Sequence, residues 1–108
     1  MALYLFRFAY TPESWAALME SPADRRDMLA SRLFSFGGRL QGFWYCFGDS
    51  DGYALAEIPD NVSAAAVSVA VKATGAFRTL DATVLLSAEE MVEAMSRAGD
   101  FAYVKPGD

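Results

Sequence analysis

The chain has 108 residues, enough for one hydrophobic core and too few for two ordinary domains. Apolar residues make up 54% of it, which excludes disorder, and no apolar run reaches the roughly 18 residues that a membrane-spanning helix needs. Fourteen acidic residues against nine scattered basic ones leave a net charge of −5, which argues against nucleic acid and anionic membrane surfaces as partners.

The composition also limits the chemistry. There is no histidine, so the commonest general base and the commonest metal ligand are both missing. The single cysteine, Cys46, excludes an intramolecular disulfide and fits a cytoplasmic location. The N-terminal MALYLFRFAY is apolar but contains Arg7 and is followed by no small-residue cleavage site, so it reads as a strand rather than a signal peptide.

In that first strand, Ala2 to Tyr10, the side chains alternate: Leu3, Leu5 and Ala9 on one face, Tyr4, Phe6, Phe8 and Tyr10 on the other. Thr11-Pro12 then supplies an N-cap and a proline at the first helical position, with Tyr10 and Trp15 placed as a hydrophobic staple. This helix is expected to end near Glu20. Ser21-Pro22-Ala23-Asp24 repeats the start signal, and Leu29, Leu33 and Phe36 recur as one buried face up to Gly37-Gly38. A second strand is expected from Arg39 to Phe47, with Phe43, Tyr45 and Phe47 on one side and Leu40, Trp44 and Cys46 on the other. A third is expected from Gly52 to Ile58. Asp60 caps an Ala- and Val-rich helix running to about Thr74, so Asn61-Val62-Ser63 reads as a helix start rather than a glycosylation site. A fourth strand covers Phe77 to Leu86. Ser87-Ala88-Glu89-Glu90 is a capping box that opens a last helix, which stops at Gly99.

The order β-α-β-β-α-β plus a C-terminal helix predicts an α+β, ferredoxin-like fold: an antiparallel sheet with its helices mostly on one face. Residues 1–99 form the domain and 100–108 a tail. The uncovered face of the sheet still carries apolar residues, which predicts a face-to-face homodimer.

The densest cluster of glycine and acid is "FGDSDGYALAE", Phe47 to Glu57. As a calcium loop it would place Asp49 and Asp51 correctly, but Tyr53 and Ala54 stand where a third ligand and a glycine are required. As a phosphate loop it opens no helix and has no lysine. It reads as a strand-joining turn.

Several stretches together resemble the GYD-domain proteins, small bacterial and archaeal proteins of uncharacterised function. They are Pro22-Ala23-Asp24-Arg25-Arg26, Gly37-Gly38, Gly48-x-x-Asp51, Glu57-x-Pro59-Asp60 and Gly75-x-x-Arg78-Thr79. The family pattern at the turn is Gly, any residue, Tyr, Asp, and this chain has Ser50 at the tyrosine position. The resemblance implies a ferredoxin-like fold akin to the dimeric α+β barrels, and no particular activity.

Arg7 stands out because a charge inside an apolar strand needs a partner or water. Adjacent strands offer Glu57 and Asp81. Either pair can line a pocket between sheet and helices and orient a small acidic ligand, or form a plain salt bridge. Tyr45 and Tyr53 keep hydroxyls free for such a pocket. The candidate ligand-binding set is therefore Arg7, Tyr45, Tyr53, Glu57 and Asp81, with no cofactor and no metal expected. A small-organic-ligand binding or sensing domain is the leading functional reading. The alternatives are a cofactor-independent oxygenase or isomerase, by fold analogy, and a purely structural interaction domain.

Overall fold

The computed structural model describes all residues from Met1 to Asp108. Its elements are β1 (Ala2–Tyr10), α1 (Pro12–Glu20), α2 (Arg26–Ser35), β2 (Arg39–Tyr45), β3 (Gly52–Ile58), α3 (Asn61–Lys72), β4 (Phe77–Leu85) and α4 (Ala88–Ala98). The four strands form one antiparallel sheet in the order β2-β3-β1-β4. The fold is α+β and ferredoxin-like.

The helix starts follow from their caps. Thr11 accepts from the Ser14 N–H, Asp60 from the Ser63 N–H, and Ser87 and Glu90 close the reciprocal box. The second start signal acts one turn later than expected. Asp24 lies outside α2 and takes both the backbone and the side-chain N–H groups of Arg26, whose guanidinium holds the Asp24 carboxyl down at about 2. Gly37 and Gly75 end the turns after α2 and α3 with φ of 81° and 75°, where a side chain would be strained.

The alternation in β1 is as expected as far as Phe8; Ala9, expected beside Leu3 and Leu5, is fully buried, where the pairing with β4 shifts register before Tyr10. Tyr4, Phe6, Phe8 and Tyr10 are all buried, and with Leu33, Ala54, Ala56, Ile58, Ala64 and Leu80 they make up the core on the helix side. Leu3, Leu5 and Arg7 alternate to the opposite face. Tyr53, Leu55 and Glu57 from β3 join them there, with Asp81, Thr83 and Leu85 from β4, and no helix covers that face.

β2 departs from the expected pattern. The register slips between Leu40 and Gly42, so Gln41 is an extra residue that bulges out of the ladder. Leu40, Phe43 and Tyr45 therefore share the helix side, and Trp44 lies on the open face with its ring over Gly42. The strand stops at Tyr45, and Phe47 is fully exposed in the loop beyond it. Phe36, expected on the buried face of its helix, is 47% exposed.

The C-terminal part stands apart from this body. Every residue from Leu86 to Asp108 is exposed, and α4 makes at most slight contact with any other element. The molecule extends 59 Å along its long axis, and its radius of gyration is 17.6 Å. A compact chain of this length would have about 13 Å. No helix is long and apolar enough to cross a membrane.

Candidate functional site

Helices α2 and α3 lie side by side over the sheet without closing against each other. A cleft of about 590 Å³ runs between them. Its floor is aromatic, with Tyr10 from β1, Phe43 from β2 and Phe77 from β4. Its walls are Leu29 and Leu33 of α2 and Val67, Ala70 and Val71 of α3. The small side chains of α3 make the space, because a helix of alanine and valine fills little of the volume beside it. A tighter apolar crevice of about 70 Å³ continues beneath, against Phe6, Phe8 and Leu80.

The floor is a packed aromatic group. Tyr10 stacks on Phe77 at 5.0 Å and meets Trp15 edge-on at 5.0 Å, the hydrophobic staple expected from sequence. Phe8 makes edge contacts with Tyr10, Tyr45 and Phe77. The Tyr10 and Tyr45 hydroxyls lie 3.2 Å apart. Burial, then the hydrogen bond to Tyr45, pushes the Tyr10 hydroxyl well above the usual tyrosine range, while the nearby Arg25 pulls the other way. Tyr10 is therefore a neutral hydroxyl at every physiological pH.

Arg25, at the N-terminal end of α2, and Arg32, within it, are the charged residues of the cleft, and no carboxylate lines it. The ion pairs of the chain are Arg7–Asp81, Arg26–Asp24 and Lys105–Asp108, so neither cleft arginine is engaged in one.

The five residues singled out from sequence fall elsewhere. Arg7 pairs with Asp81 at 3.0 Å, but on the open face of the sheet and in solvent, so this pair does not line a pocket between sheet and helices. Glu57 is not beside Arg7. It lies four residues along β3, opposite Leu3, and accepts from the Gln41 side-chain amide at 2.7 Å. Tyr53 is directly opposite Arg7 on the same open face. Only Tyr45 approaches the cleft, one ring behind its floor.

Asp51 has a role that the sequence reading missed. Its carboxylate accepts from the Tyr10 backbone N–H at 2.9 Å and from the Trp15 indole N–H at 3.1 Å, and its own N–H donates to the Phe8 carbonyl at 2.8 Å. One turn residue thus pins the end of β1 and the start of α1, the two segments that present Tyr10 to the cleft. Beside it Gly52 allows no side chain: a Cβ there would come within 2.4 Å of the Phe8 ring and 2.5 Å of the Trp44 carbonyl. Ser50 is buried, with its carbonyl accepting from the Cys46 thiol.

The model of the GYD domain matches residues 4–95, nearly all of the sheet and most of the chain. The chain belongs to the GYD domain family. The anchored turn, Gly48 to Asp51, holds the positions of the motif resembled above, so in this GYD domain the motif's aspartate is the residue that ties the turn to β1 and α1. Among solved structures, the chain is similar to one described as the crystal structure of FFRP-DM1. The identity is 7%, the TM-score 0.47, and the alignment covers 80% of this chain and 100% of that one. No curated protein matches the chain.

Proposed function

We propose that this GYD domain is a small-molecule binding or sensing module whose ligand occupies the cleft between α2 and α3. The observation that carries this reading is the cleft itself. Its volume falls within the 300–1,000 Å³ typical of ligand sites, and apolar walls surround a few polar groups, the usual make-up of such sites. The ligand's apolar body lies on Phe43 and Phe77, and the Tyr10 hydroxyl orients it.

The module works as a homodimer. Leu3, Leu5, Leu55 and Leu85 lie together on a sheet face that no helix covers, and the apolar side of α4 (Met91, Val92 and Met95) is 44–60% exposed. An isolated helix of 11 residues is marginal in water, so α4 also needs a surface to lie on. A second copy packed on the open face supplies cover for the sheet and for α4.

Native mass spectrometry of the protein purified directly from the cells that make it tests both parts. The expected result is a dimer carrying a retained small molecule, and Ala70→Trp, which fills the cleft, should lose that mass while remaining dimeric. A ligand-free wild-type protein that takes up no apolar probe would sink the binding reading. A monomer at all concentrations would sink the dimer.

A further inference from the structure

We infer that the cleft selects apolar molecules carrying a single carboxylate, read by Arg25 and Arg32 at its mouth. This rests on the reading of the cleft as a ligand site and adds the chemical class of the ligand.

The argument begins with spacing. Arg25, Leu29 and Arg32 recur at i, i+4 and i+7, which sets them on one stripe along the α2 side of the cleft. Seven positions of helix rise about 10 Å, so the two side chains leave the same wall of the cleft two turns apart. The remaining side chains of the cleft are apolar apart from Ser35, Thr74 and the Tyr10 hydroxyl.

Charge points the same way. The chain has an excess of five acids, yet none faces this cleft, and its two arginines are left without a carboxylate partner. Next to Arg25 on the sequence, Arg26 is taken up by Asp24. The pairing of one arginine and not its neighbour leaves a concentrated positive edge on a groove of otherwise low polarity. A carboxylate there gains charge-assisted hydrogen bonds from planar guanidinium forks, which suit its geometry. Beneath the mouth lies the Tyr10 hydroxyl, paired with that of Tyr45 at 3.2 Å, a polar group that carries no charge of its own. An uncharged molecule of the same body would make the same apolar contacts and leave the arginines in water. A cation would be repelled.

Calorimetric titration at pH 7.5 with decanoate, decanol and decyltrimethylammonium, each below its aggregation concentration, tests the inference. The acid is ionised at that pH. Decanoate is expected to bind at least about tenfold more tightly than decanol, a modest return for two charge-assisted contacts. The cation is expected to bind more weakly than decanol. The double variant R25Q/R32Q, with its fold checked by circular dichroism, should bring decanoate down to the decanol level and leave decanol unchanged. Equal wild-type affinity for acid and alcohol overturns the inference while leaving the cleft a ligand site. An acid preference that survives in the double variant also overturns it. If none of the three probes binds, the ligand-site reading fails and this one fails with it.

Discussion

The two faces of β1 are nearly equal in apolar character and opposite in fate. Tyr4, Phe6, Phe8 and Tyr10 are each less than 8% exposed beneath the helices, whereas Leu3, Leu5 and Arg7, from the same nine residues, look out from the uncovered side. The difference is in their partners. The aromatic face meets α2, α3 and the rings of β2 and β4; the other face meets only neighbours in its own plane. Alternation thus says which residues go together, and what arrives to cover them decides which set becomes the core.

Substitutions on each side separate these roles. Phe8→Ala removes a buried ring that touches Tyr10, Phe43, Tyr45 and Phe77, and should cost about 3–5 kcal/mol in chemical denaturation. A loss under about 1 kcal/mol would mean that the helix side is not the core. Gly52→Ala pushes a methyl group into Phe8 and the Trp44 carbonyl, and should cost about 1–3 kcal/mol, seen as a lower denaturation midpoint.

On the open face, Leu5→Glu should leave the fold intact by circular dichroism and convert the proposed dimer to monomer in sedimentation. If the variant unfolds as Phe8→Ala does, the two faces are equally part of the core and the contrast fails. In that monomeric background Arg7→Gln should leave the denaturation midpoint where it was, since Arg7 and Asp81 are both more than half exposed and water screens the pair.

A smaller effect lies in the alkaline range. The Tyr10 acidity is weakened by folding, so its contribution is fully present below about pH 10 and is lost as pH rises beyond the ordinary tyrosine range. The wild type should lose stability above pH 10 more steeply than Tyr10→Phe, as measured by denaturation at stepped pH. Parallel curves would show that folding leaves the acidity of Tyr10 unchanged.

Local signals made most of the fold readable from sequence. Caps at Thr11, Asp60 and Ser87 and the two-residue alternation of β1 depend on neighbours a few positions away, and these came out as read except at Ala9, which is buried at the register shift near the strand end. What depended on distant parts of the chain did not. The Gln41 bulge turns on how β2 registers against β3, and it reverses the side on which Leu40 lies. Arg7 attracted attention as a charge in an apolar strand, but the face that carries it is the uncovered one. Arg25 and Arg32 count in the sequence only among nine scattered basic residues, because only the gap between α2 and α3 puts them at the edge of a cleft. Asp51 was legible as a turn former and not as an anchor, since its partners lie 36 and 41 residues away.

That long reach has a kinetic consequence. The bonds from Asp51 to Tyr10 and Trp15 can form only after β1, α1 and the β2–β3 hairpin have come together, so the loop-closure entropy must be offset before they contribute. They belong to the late, native side of the folding barrier. Asp51→Ala should therefore speed unfolding and leave the refolding rate almost unchanged, giving a φ value near zero in a stopped-flow chevron. A φ value near one would place the turn in the folding nucleus. With φ near zero, the turn that carries the family motif acts as a latch, closing on a sheet that has already formed and setting how long the native state lasts.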